Sequence, residues 1–107
     1  MIDILRKKEV LSLVDSIEYE LNGIVRKRLV NNEHMAMVLF SFDEGQVLAP
    51  HSAPGDALVI ALDGRAIVSI DNEEFNIEKC ESIVLPAGSL HSVKAVEKYK
   101  MLIIISK

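Results

Sequence analysis

From Ile24 to the C-terminus, no uninterrupted apolar run exceeds six residues before a polar or turn residue breaks it. Ile24–Val30 stops at Asn31-Asn32, and Met35–Phe42 stops at Asp43-Glu44-Gly45. Pro50 to Gly55 is an irregular corner with two prolines. Leu58–Leu62 and Ala66–Ile70 flank Asp63-Gly64, a strong two-residue hairpin signal. Asp71-Asn72 leads into Glu74–Ile77, Ser82–Leu85 ends at Pro86-Ala87-Gly88, and His91–Val96 and Lys100–Ser106 finish the chain. Upstream, Ile17–Leu21 alternates apolar and polar before Asn22-Gly23. Nine or ten short strands at this spacing predict an all-β sandwich, jelly roll or small barrel. The 107 residues suit one domain, so 1–107 is read as a single unit. The one helical stretch is Arg6–Val14, with Val10, Leu11 and Val14 to one side.

Three strands, Met35–Phe40, Leu58–Leu62 and Leu102–Ile105, are apolar on both faces. Such strands need cover outside as well as inside. An N-terminal segment or a homodimer interface would supply it, and Ile2-Ile4-Leu5 with Ile17–Leu21 is the interface material expected here.

Charge and composition exclude several classes. The net charge is −4, and the one basic cluster, Arg26-Lys27-Arg28, splits between two faces if it lies on a strand. With three Phe, two Tyr and no Trp, a stacking nucleic-acid surface is not expected. No apolar stretch approaches the ~20 residues of a membrane helix. The N-terminus carries charges where a secretory signal would be apolar, and the single Cys80 excludes an internal disulfide. A cytoplasmic location is the expectation, with a small molecule as partner, no nucleic acid and no membrane.

Chemistry concentrates in two segments. One runs Gly45-x5-His51-Ser52-Ala53-Pro54-Gly55-Asp56-Ala57-x6-Gly64, the other Pro86-Ala87-Gly88-Ser89-Leu90-His91. Together they resemble the two motifs of the cupin superfamily, as found in small cupin 2-like conserved barrels. The resemblance implies a double-stranded β-helix, or jelly roll. It also implies an inward-facing metal site with His, His and Glu from the first motif and His from the second. The corresponding residues here are His51, Ala53, Ala57 and His91. Residues 51 and 53 are two apart and share a strand face. Two of four ligands are thus alanines, the glycine opening the second motif is Cys80, and its closing asparagine is Ala95. Small cupins whose first motif reads His-x-Ala-Pro-x-Asp-Ala exist, and the resemblance implies that the ligand loss belongs to a subgroup.

Three functional readings follow. The first is a small-molecule-binding barrel with a pocket lined by His51, His91, Ala53 and Ala57. The second is a metal-dependent enzyme, dioxygenase- or decarboxylase-like, in which His51 and His91 hold Fe, Zn, Ni or Mn weakly and substrate completes the shell. The third is a metal-free acid–base enzyme such as a sugar isomerase or epimerase, which would need a carboxylate to orient one histidine. Asp56 is the nearby candidate, although regular alternation would point it away. His34 reads as a solvated turn residue, Cys80 as an inert turn thiol, and Met35, Met37 and Met101 as core or pocket lining. Glu73-Glu74 and Lys98/Lys100 read as solvated strand edges.

Overall fold

The computed structural model describes residues 5–107. Nine strands form among them: β1 (Ile24–Asn31), β2 (Met35–Phe42), β3 (Val47–His51), β4 (Ala57–Asp63), β5 (Arg65–Ile70), β6 (Glu73–Glu78), β7 (Ser82–Leu85), β8 (His91–Ala95) and β9 (Tyr99–Ser106). They pair antiparallel in two sheets, a larger one ordered β1-β2-β9-β4-β7 and a smaller one ordered β3-β8-β5-β6. This is a jelly roll, one of the architectures the strand spacing allows and the one the resemblance implies.

The core lies between the sheets and follows from alternation. Val38, Phe40 and Phe42 point inward from β2, and Tyr99, Met101 and Ile103 from the paired β9. Ala66, Val68, Val93 and Ala95 meet them from β5 and β8. The interleaved residues of the larger sheet, Leu29, Leu39 and Leu102, are also buried, in a second cluster on its outer face.

An N-terminal strap covers part of that outer face, and here the structure corrects two expectations. Arg6–Val14 forms no helix, and Ile17–Leu21 forms no strand. A helix of nine residues is marginal without a buried apolar side, and Val10 and Leu11 are instead exposed. The strap runs over the sheet with Ile17 buried against Leu29, Leu39 and Leu102. Side chains beneath it bond its alternate carbonyls. Lys100 Nζ donates to Val14 O (2.6 Å), Lys27 Nζ to Ser16 O (2.9 Å), and Ser41 Oγ to Glu18 O (2.7 Å). Lys100 is therefore buried, not solvated, with its ammonium also 4.8 Å from the Tyr19 ring centre. Ile17 is spent inside the chain, and the expected interface residues Ile2 and Ile4 lie outside the described residues.

The Asp63-Gly64 hairpin is also corrected. β4 and β5 belong to different sheets and do not pair; Asp63-Gly64 is the corner that carries the chain from one to the other. A two-residue type I′ hairpin needs positive φ at both central residues. Only Gly64 has it there (φ +72°), whereas Asp71 (47°) and Asn72 (71°) both do, and they close the β5–β6 hairpin. A side chain at Gly64 would strike the Lys98 carbonyl in the β8–β9 turn, so this corner demands glycine for contact as well as conformation.

Candidate functional site

β3 and β8 bring the two histidines together. His51 and His91 are register partners on these antiparallel strands. Regular alternation from the inward Leu48 would bring Pro50 inside and turn His51 out. One extra residue on β3 between Leu48 and His51 shifts the register and returns His51 to the inner face. Pro50, which has no N–H to give, falls at this bulge on an edge strand, where proline is tolerated.

The rings meet edge to face, with centres 4.3 Å apart, and Nε2 lies 3.1 Å from Nε2. His51 Nδ1 is 3.0 Å from the Ala49 carbonyl, which can only accept, so Nδ1 carries a proton. In the neutral pair His51 Nε2 is then the acceptor, and His91 Nε2–H donates to it. His91 is buried and its Nδ1 has no partner at hydrogen-bond geometry. Burial, and then the neighbouring His51, lower the His91 pKa below the ordinary value; smaller opposing pulls come from the Ser89 backbone and Asp71. In that arrangement the hydrogen bonds run from the buried His91 ring through the exposed His51 ring to the Ala49 carbonyl.

Both imidazoles line a cavity of about 290 Å³ at this end of the barrel, together with Ala53 and Ala57. The other walls are apolar: Phe40, Val59, Met101 and Ile103 from the larger sheet, Leu48 and Val93 from the smaller. All four residues singled out by the motifs therefore share one space. A fifth, Arg26, was missed. It reaches the cavity from β1 with its guanidinium 5.8 Å from the Phe40 ring centre. Its signal was present, since alternation within Arg26-Lys27-Arg28 places Lys27 on the opposite face from Arg26, but which face was inner could not be read locally.

The remaining candidates lie elsewhere. Asp56 is exposed and accepts from the Ala87 N–H (2.8 Å), fastening the β7–β8 corner; it orients neither histidine. His34 is exposed beside Glu33, and Cys80 is exposed in the β6–β7 turn. Cys80 has φ +73°, the left-handed backbone that the motif's glycine ordinarily supplies. No helix among the described residues is long and apolar enough to cross a membrane.

An antiparallel jelly roll with a side-chain-lined cavity between its sheets defines the class. The chain belongs to the cupin family: the cupin domain model matches residues 38–105. It is 35% identical to a conserved protein of unknown function from Streptococcus pyogenes, with a TM-score of 0.94 over 99% of this chain and 93% of that one. It is 43% identical to a cupin 2 conserved barrel domain protein from Leptotrichia buccalis, with a TM-score of 0.89 over 91% of this chain. That match covers 47% of the Leptotrichia chain. A cupin superfamily protein from Desulfitobacterium hafniense shares the fold at a TM-score of 0.93 and 24% identity, over 99% of this chain and 97% of that one. No curated protein matches the chain significantly.

The metal that the family's motifs imply can be tested against these residues. Two imidazoles are present, and no group of three His, Cys, Asp or Glu gathers among the described residues. The His51 lone pair that would face a metal is engaged by His91. In the same arrangement His91 Nε2 carries the proton it donates to His51 and presents no lone pair to a metal. Zinc sites, for comparison, take three or four protein ligands. The residues here do not fit a resident metal.

Proposed function

We propose that this cupin is a small-molecule-binding barrel whose ligand enters the cavity beside His51 and His91. The observation that carries this reading is the replacement of two ligand positions by Ala53 and Ala57 in a cavity that stays open. The volume falls near the small end of the ~300–1,000 Å³ typical of ligand pockets, and the walls are apolar with few polar groups, as such pockets are. The acid–base reading loses support because the carboxylate it needed, Asp56, is committed to the Ala87 N–H. Binding positions a ligand by burying its apolar body and giving its polar end hydrogen-bond partners at the imidazoles.

The test is to fill the space. Small aromatic and aliphatic probes (phenol, benzamide, benzoate, hexanoate) should shift the ring resonances of His51 and His91 and the methyls of Ala53 and Ala57 saturably. Ala57→Leu should keep the fold, by circular dichroism, and lose those shifts. Binding that survives Ala57→Leu unchanged would overturn the reading. So would a stoichiometric metal retained by the purified protein and lost in His51→Ala, which would favour the metal-dependent enzyme.

A further inference from the structure

Resting on the proposed binding role, we infer that the cavity takes a small organic anion, an apolar body bearing one carboxylate whose charge Arg26 meets. The chain as a whole is acidic, with a net charge of −4. The cavity reverses that sign. Its polar side chains are Arg26, His51 and His91, and no Asp or Glu lines it. Arg26 makes no ion pair among the described residues; its described neighbour is the Phe40 ring. Asp56, the residue before the lining Ala57, accepts from the Ala87 N–H and does not line the cavity.

Two features make this a recognition device and not a stray surface charge. Arg26 and His51 are both exposed and both line the cavity, so it meets solvent along these two side chains, with His91 buried beneath. A guanidinium offers paired N–H donors to the two oxygens of a carboxylate, and its contact with the Phe40 ring, 5.8 Å from the ring centre, leaves those donors free. The apolar walls then select the body attached to the carboxylate. A free phosphate or sulfate would satisfy Arg26 but leave those walls wet. A neutral molecule of the same shape would satisfy the walls but leave the guanidinium unpaired.

Isosteric pairs test this directly. Benzoate and hexanoate should bind the wild-type protein at least about tenfold more tightly than benzamide and hexanamide, read from titrated shifts of the His51, His91 and Ala57 resonances. Arg26→Gln, at an exposed position, should fold normally and erase that preference, the acids binding no more tightly than the amides. Amides that bind as well as the acids would overturn the anion inference while leaving the cavity-binding reading intact. A preference that survives Arg26→Gln would overturn the role of Arg26. Silence from all four probes would overturn the cavity reading and this inference with it.

Discussion

The two ends of the barrel interior are built from the same alternation and finished in opposite ways. At one end Phe42 and Tyr99, register partners on β2 and β9, are fully buried with ring centres 5.6 Å apart, and Ala61, Ala66 and Ala95 close around them. At the other end the inward positions hold Ala53, Ala57 and two imidazoles, and a cavity remains. Small residues occur at both ends, but at the second the large ones, Phe40, Met101 and Leu48 among them, line the space without filling it. One end of this cupin is filled and holds the sheets together, and the other keeps a cavity between them.

That division should appear most strongly in stability. Phe42→Ala removes a fully buried ring and is expected to cost about 3–5 kcal/mol in urea unfolding. His51→Ala, at an exposed ring on the cavity rim, should change stability by less than about 1 kcal/mol. Equal losses from the two variants would erase the distinction. A smaller effect sits near the filled end, where the Cys80 N–H bonds the Ala61 carbonyl. Since Cys80 holds left-handed backbone at φ +73°, Cys80→Gly is expected to stabilise by about 1 kcal/mol, seen as a higher urea midpoint. An unchanged or lower midpoint would show that the thiol contributes something the backbone does not.

The subtlest contrast is in pH dependence. The His91 pKa is lowered in the folded chain by burial and by His51, so the unfolded chain takes up this proton more readily. Its contribution is complete above the ordinary value of 6.5 and is lost as pH falls through the lowered folded value. Urea midpoints between pH 8 and 5 should therefore decline toward acid, and His91→Gln should flatten that decline. Asp43, held below the ordinary carboxylate range by the Asn22 and Glu44 N–H groups, acts in the same direction but only at more acidic pH. A slope unchanged in His91→Gln would mean the hollow end does not hold a neutral histidine.

The strands and the meeting of His51 with His91 were legible because alternation and turn residues are local, and because the motif spacing joins two distant segments. What stayed hidden depended on partners. Asp63-Gly64 and Asp71-Asn72 carry similar turn chemistry in one dimension, and only the Lys98 carbonyl against Gly64 marks the first as a corner between sheets. Lys100 looks solvated until the strap places the Val14 carbonyl over it. Ile17–Leu21 reads as a strand because it alternates apolar and polar, but it joins no ladder, and the Glu18 carbonyl is taken by the Ser41 hydroxyl. Arg26 looks like one member of a surface cluster until β1 is given an inner face.

The way the strap is attached separates two kinds of order that usually travel together. Between Leu5 and Gly23, the N–H groups bonded to described residues are those of Ser16, Asn22 and Gly23. In deuterated water the strap's other amides would therefore trade their hydrogens early, while β2 and β9 beneath it hold theirs until much larger openings. An isotope-uptake map would draw the barrel nearly bare, though Ile17 is buried against it.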